Sequence, residues 1–276
     1  VSGQRVVIKL GGELMAPARA EELANITAGV RALVEAGHRV VLVHGGGPQT
    51  SALQRQLGQE PVMVGGRRVT DDAALDVMLM VVAGRLNVAL VSALQAAGLS
   101  AVGLNGVSAQ LIRCVKRPPK VVSGGGPDPV DFGHVGDVTG VNEALLDLLL
   151  GAGHTPVLAC VGSDAAGRPY NINADTVANG VAIALHADLL LLLTSTPGVL
   201  RDVKDLGSRI STLTVAEGHA AIADGTVQGG MIPKLEESFE ALAAGVGQIH
   251  ILGHVAQGDL QRALEQPGAV GTALLP

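Results

Sequence analysis

The stretch Val6-Val7-Ile8-Lys9-Leu10-Gly11-Gly12 decides how this 276-residue chain is read. An apolar run so near the start reads as a buried parallel strand, and parallel sheets present ligands beyond the carboxyl ends of their strands. Lys9 interrupts the run just before it ends. Desolvating an unpaired ammonium costs several kcal/mol, to order of magnitude, so a lysine at this place asks for an anion. Gly11 and Gly12 let the backbone approach that anion and point N–H groups at it, as phosphate-binding nests do. The same residues also fit an ordinary strand-to-helix turn whose lysine reaches water along its stem.

Working outward, composition narrows the choices. Apolar residues make up 47% of the chain, with 38 glycines, one Tyr, two Phe and no Trp. A core built from Val, Leu, Ile and Ala is that of an α/β protein whose parallel sheet is covered by small-residue helices. A net charge of -6 and so few rings leave neither the electrostatic footprint nor the stacking platforms that nucleic acid needs. Cys114 and Cys160 fit no metal spacing and read as buried small hydrophobes, which suits a reducing cytoplasm. No charged n-region precedes an apolar segment at Val1. The most apolar stretch, 185–193, is too short to span a bilayer, so a soluble, unexported protein without a membrane partner is expected.

Along the chain, helical spacing over 19–36 ends at Gly37, and a second buried strand over 40–43 runs into His44-Gly45-Gly46-Gly47-Pro48 and a helix to about Leu57. That turn fits neither the Walker nor the dinucleotide pattern. Residues 61–69 read as a hairpin around Gly65-Gly66, carrying Arg67 and Arg68 on opposite faces. A long helix follows from Thr70 as N-cap to about Ala97, crossing the sheet and bending near Gly84. Strands are expected over 101–104, 155–161, 188–193, 248–252 and 270–274, and helices over 141–150, 174–185, 215–223 and 231–244. Residues 111–139, with Lys116, Arg117 and Gly124-Gly125-Gly126, read as hairpins off the sheet edge whose basic residues form a solvated face.

The glycine turns at Gly11, Gly45 and Gly106 each follow a buried strand, so a doubly wound sheet places them on one edge. Asp175 falls in the first turn of its helix, where the dipole favours a carboxylate, while Lys234 stands at a helix start, where the dipole opposes it. Each alone needs no function. Together with Lys9 and the glycine nests they point to phosphoryl transfer, which works mostly by positioning and charge neutralisation.

Five segments in this order resemble the acetylglutamate kinases of the amino-acid kinase superfamily. They are Ile8-Lys9-Leu10-Gly11-Gly12, His44-Gly45-Gly46-Gly47-Pro48, Gly66-Arg67-Arg68-Val69-Thr70, Asn171-Ile172-Asn173-Ala174-Asp175 and Gly229-Gly230-Met231-Ile232-Pro233-Lys234. The resemblance covers nearly the whole chain. It implies a three-layer αβα sandwich around a mainly parallel sheet, with 1–176 as the acetylglutamate lobe and 177–276 as the ATP lobe. It also implies transfer of the ATP γ-phosphoryl to the side-chain carboxylate of N-acetyl-L-glutamate, within arginine biosynthesis. By motif, Lys9 and Lys234 stabilise the transferring phosphoryl and Asp175 orients both. Gly11, Gly12, Gly45 and Gly46 line the phosphate and substrate, with N–H groups offered by Gly12, Gly45 and Gly46. Arg68 clamps the substrate α-carboxylate, and Asn171 binds acetylglutamate. The nucleotide lies along Ser195, Thr196, Pro197, Gly198, Val199 and Leu200 and along Thr226, Val227 and Gln228, its Mg2+ held by phosphates and water rather than by protein ligands.

Thr194-Ser195-Thr196-Pro197-Gly198 departs from the family's Thr-Asp-Val-x-Gly and loses an aspartate beside the nucleotide. Val1 stands only a few residues before the first strand, which leaves no room for the N-terminal helix of arginine-inhibited hexamers. A homodimer without that inhibition is expected, although 265–272 partly resembles the arginine-responsive ending. Two rivals remain: a kinase for carrier-bound aminoadipate, and a silent amino-acid sensor on the same fold. Gly103-Leu104-Asn105-Gly106 and the negative charge argue against the first, and the intact Lys9, Asp175 and Lys234 against the second.

Overall fold

A computed structural model describes residues 3–122 and 125–276, so Val1 and Gly124 lie outside the described residues. The first half runs β1 (Arg5–Leu10), α1 (Ala20–Glu35), β2 (Arg39–His44), α2 (Gly47–Gln56), β3 (Met63–Val64) and β4 (Arg67–Arg68). Next come α3 (Asp72–Met78), a π-helical stretch (Leu79–Leu86) and α4 (Asn87–Ala96), one continuous rod, then β5 (Ala101–Asn105), β6 (Ile112–Lys116) and β7 (Gly136–Val141). The second half runs α5 (Glu143–Gly151), β8 (Thr155–Ala159), β9 (Val161–Ser163), β10 (Pro169–Asn171), α6 (Ala174–Ala184), β11 (Leu189–Thr194) and β12 (Thr212–Thr214). It closes with α7 (Val215–Ala223), α8 (Met231–Ala243), β13 (Gln248–Gly253), α9 (Asp259–Glu265) and β14 (Thr272–Leu275).

Eight strands form the central sheet in the order β12-β14-β13-β11-β1-β2-β8-β5. All neighbours are parallel except β13 and β14, so the sheet is mainly parallel, as expected. Strand alternation sorts the side chains. Val6, Ile8 and Leu10 join the core with residues of α1, α4 and α9, whereas Val7 joins the core with residues of α6 and α8. Lys9 shares a face with Val7 and is thereby aimed at the α6 and α8 layer.

A second sheet, β10-β9-β6-β7, covers one side of the cleft. The single strand expected over 155–161 is two strands. β8 stays in the central sheet, Cys160 ends it, and β9 crosses into the second sheet, where Val161 pairs with Asn171. Both halves are buried, so their apolar pattern is continuous and carries no mark of the change of sheet. Asp71, not Thr70, caps the long helix, its carboxylate accepting the Ala74 N–H at 2.8 Å. Thr70 instead bridges to the excursion: its N–H donates to Phe132 O and its carbonyl accepts from His134. The helix 72–96 is apolar and long enough to cross a membrane by length and composition alone, yet it lies against the sheet as a core element.

Candidate active site

A cleft of about 490 Å3 opens at the carboxyl ends of β1 and β2. Asp175 stands at its floor. Asn173 caps α6 by accepting the Asp175 N–H at 3.3 Å, which sets Asp175 in the favourable first turn. Its Oδ2 accepts from Lys234 Nζ of α8 at 2.6 Å, and its Oδ1 lies 2.9 Å from Lys9 Nζ, an ion pair short of good hydrogen-bond alignment. Burial pushes the Asp175 carboxyl up, but the Lys9 and Lys234 charges outweigh it and hold the group down at about 2. One buried carboxylate therefore brings together two ammoniums from opposite ends of the sequence. Three residues beyond Lys234, Glu237 accepts from the Thr176 hydroxyl at 3.2 Å. Burial first, and the Asp175 charge second, raise its carboxyl above the usual range.

The glycine turns divide by what their N–H groups do. Gly11 N–H donates to Leu193 O at 3.3 Å and Gly45 N–H to Leu10 O at 3.0 Å, so Gly45 does not offer the free donor expected of it. The N–H groups of Gly12 and Gly46 have no protein acceptor among the described residues. The two turns touch: a Cβ on Gly12 would stand 2.8 Å from Gly46 Cα. Gly106 is not part of the cleft. A Cβ there would stand 2.0 Å from Val161 O, so this glycine serves a close backbone approach between the two sheets.

The β3–β4 hairpin forms the opposite wall. Its turn needs Gly65 and Gly66, which hold φ of 55° and 74°, the left-handed pair that suits the twist of a two-residue hairpin. Arg68 is tied to α2, donating to Gln54 Oε1, to Ser51 Oγ at 2.6 Å and to Gly47 O at 2.9 Å. Burial first and Arg55 second lower its pKa. Arg67 borders the cleft as well, so the expected opposite facing of the two arginines does not exclude it. Asn171 also borders the cleft and donates to Thr70 Oγ1 at 3.0 Å.

The excursion contributes residues that its sequence did not reveal. Lys116 faces solvent and pairs with Asp131 at 3.0 Å, as a solvated face would. Arg117 instead turns inward, pairs with Asp137 at 2.7 Å and, with Lys120, borders the cleft. Its counter-charge lies 20 residues away across β6 and β7, so no local pattern announces it. Six cationic side chains and three carboxylates, Glu13, Asp175 and Glu237, thus face a cleft within an acidic chain. Such a cleft concentrates anionic ligands.

Of the other expected positions, Ser195 to Leu200 follow β11 outside this cleft, with Val199 and Leu200 buried and Val199 N–H donating to Thr272 Oγ1 at 2.9 Å. Thr196 Oγ1 is buried without a partner. Val227 is buried, and Gln228 donates to Gly225 O at 2.7 Å, immediately before the Gly229-Gly230 approach to α8. Cys114 and Cys160 are free and buried, and burial pushes their thiols up to about 11 and about 12.

Comparison with known proteins agrees with this geometry. Residues 4–253 match the amino acid kinase family. The chain is 57% identical to an acetylglutamate kinase of Sorangium cellulosum over 98% of its own length and 94% of that protein's. It is 55% identical to an acetylglutamate kinase of Anaeromyxobacter dehalogenans, over 98% of both. Among solved structures, an N-acetylglutamate synthase of Neisseria gonorrhoeae superposes with a TM-score of 0.82 at 25% identity, over 99% of this chain and 60% of that one. A Giardia lamblia carbamate kinase bound to AMP-PNP shares the fold, with a TM-score of 0.69 at 20% identity and 99% of each chain covered. A mainly parallel sheet, a lysine-aspartate-lysine floor and a match over nearly the full length lead to one conclusion: the chain belongs to the amino acid kinase family.

Proposed function

We propose that the chain is an acetylglutamate kinase, which transfers the γ-phosphoryl of ATP to the side-chain carboxylate of N-acetyl-L-glutamate in arginine biosynthesis. The observation that carries the reading is Asp175, gripping Lys9 and Lys234 at the floor of a cation-rich cleft. An oxygen of the acceptor carboxylate forms a bond to the γ-phosphorus while the bond to the β,γ-bridging oxygen breaks and ADP leaves. A glutamate side chain, with a reference pKa of about 4.3, is already ionised at neutral pH, so no general base is needed. The protein's task is to gather charge and hold direction.

In this reading Lys9 and Lys234 meet the charge that grows on the phosphoryl oxygens, and Asp175 keeps their ammoniums in place. Gly12 and Gly46 add N–H donors. Arg68 exchanges its Gly47 and Ser51 contacts for the substrate α-carboxylate, and Asn171 takes the acetylamino side. MgATP enters as substrate along 195–200 and 226–228, over a C-terminal lobe, 177–276, that meets the acetylglutamate lobe, 1–176. Thr196, with its unpartnered buried hydroxyl, fits a polar group there. A homodimer in the cytoplasm completes the reading. The open margin of β5, together with Met80 and Val88, 61% and 66% exposed on the long helix, supports a second copy as the partner.

The carrier-bound aminoadipate kinase is not favoured, because near-full-length relatives above 50% identity are acetylglutamate kinases. An ATP-dependent hydroxamate assay across N-acetylglutamate, glutamate, aspartate and aminoadipate tests the choice. Product with N-acetylglutamate above all others is expected. A preference for any other acceptor would replace the substrate, and no product with any would remove the reading.

A further inference from the structure

His44 closes β2 on the face of the sheet away from Lys9. Its register partner is Leu10, and Leu10 packs in the core shared with α1 and α4, whereas Val43, opposite Lys9, packs with α6. The imidazole is fully buried. Its Nδ1 lies 3.0 Å from Gly45 O, and its Nε2 lies 3.0 Å from Asn87 Nδ2 at the start of α4. Asn87 Nδ2 also donates to Val157 O at 3.0 Å and approaches Leu104 O at 3.5 Å. An amide nitrogen facing two carbonyls is the donor end, so the ring nitrogen it meets is bare. Nε2 accepts, and the one proton of the neutral imidazole sits on Nδ1, from which it donates to Gly45 O. Burial keeps the ring's pKa below its ordinary value, against the opposing pull of the Gly45 bond.

Gly45 O and Gly46 N–H belong to one trans peptide, in which carbonyl and N–H point in opposite directions. Drawing the carbonyl toward His44 turns the N–H toward the Lys9 face. There Gly46 N would lie 3.0 Å from a Cβ on Gly12, beside the other free donor. Missing side chains make the arrangement possible. A Cβ on Gly103 would stand 2.3 Å from Asn87 Oδ1, and one on Gly46 would stand 2.6 Å from Leu86 Cδ1 and 2.8 Å from Val82 Cγ2.

We propose that His44 is a positioning residue for phosphoryl transfer: fixed as the Nδ1–H tautomer by Asn87, it sets the Gly45–Gly46 peptide plane from the far face of the sheet and aims the Gly46 N–H at the transferring group. The proposal rests on the acetylglutamate kinase reading of the cleft. It extends the machinery to residues that touch neither substrate.

Two measurements on the full chain test it. Nitrogen-15 spectra of the histidine-labelled protein at neutral pH are expected to show His44 protonated at Nδ1 and bare at Nε2; the reverse tautomer overturns the proposal. In kinetics, His44→Asn keeps an N–H near the place of Nδ1, whereas His44→Leu fills the site without a donor. Loss of a fixed donor should lower kcat of His44→Leu on the order of 10- to 100-fold with both KM values nearly unchanged. His44→Asn should recover most of that loss. Equal loss in both variants, or a lower Tm with unchanged kcat, overturns the proposal. If His44→Leu fails to fold, a His44→Asn variant that folds but loses more than about 100-fold in kcat does the same. Wild-type protein with the expected tautomer but no turnover of N-acetylglutamate would sink the functional reading and leave the tautomer assignment standing.

Discussion

The floor of the cleft and its hairpin wall hold cations in opposite ways. On the floor, Lys9 and Lys234 come from a central strand and a long helix and share one buried carboxylate, with 10% and 11% of their side chains exposed. On the wall, Arg68 sits on a two-strand hairpin and is tied by a side-chain amide, a hydroxyl and a backbone carbonyl, all neutral. Charge held by charge inside rigid elements is preorganised and cannot easily be redirected. Charge held by neutral acceptors on a small hairpin can change partners at low cost. The floor is therefore suited to charge that appears only in the transition state, and the wall to a group that is charged throughout.

This division breaks if the floor lysines act on binding. Lys9→Ala and Lys234→Ala should each lower kcat by at least on the order of 10²-fold, with little change in KM for acetylglutamate, as steady-state kinetics would show. Near-normal turnover in either variant would remove that lysine from the reaction. Asp175→Asn should stay folded with lower kcat, because the two ammoniums lose the charge that holds them. It also sharpens the comparison through pH. Asp175 is depressed from 3.8 to about 2, so its contribution to stability is full above about pH 4 and is lost as pH falls through about 2. Acid unfolding followed by circular dichroism should be less steep across that window in Asp175→Asn than in the parent. An unchanged profile would mean that the pair is not formed in solution.

At the wall, Arg68→Lys replaces a planar fork by a point charge. One hydrogen bond to a charged group is worth roughly 1.5 to 3 kcal/mol, so KM for acetylglutamate should rise about 10- to 100-fold while kcat and the ATP KM barely move. A rise in the ATP KM instead would reverse the orientation of the site. The smallest effect belongs to Lys120. Its replacement by Gln should raise KM only about 2- to 5-fold at low ionic strength, and the difference should fade as salt screens the cleft. A salt-independent effect would make Lys120 a direct contact.

The sequence made the floor legible because its signals are local. A lysine inside an apolar strand, a carboxylate in a first helical turn and glycines after strands each state a physical conflict that only a ligand or partner resolves. The resemblance then joined segments that no spacing rule could join. What stayed hidden was pairing at a distance. Arg117 looked like surface because Asp137, its counter-charge, is met only once β6 and β7 pair. The split of 155–161 at Cys160 was invisible because burial on both faces writes the same aliphatic text in either sheet. β12, three residues at the sheet margin, was too short to leave a period. The N-cap moved from Thr70 to Asp71 because Thr70 is drawn into pairing with the excursion, which propensity cannot anticipate.

The π-helical stretch Leu79–Leu86 has a consequence for how this chain can vary. Its hydrogen bonds run to the fifth residue, so it works as a phase shifter, bringing Val82 and Leu86 against Gly46 and delivering Asn87 beneath His44. Removing one residue would return the rod to ordinary α geometry and rotate everything after it by about 100°. Asn87, Leu90 and Leu94 would then leave their places against the sheet together. Side chains along the exposed side of this rod are free to drift, but its length is locked: within it, evolution can respell residues and cannot skip one.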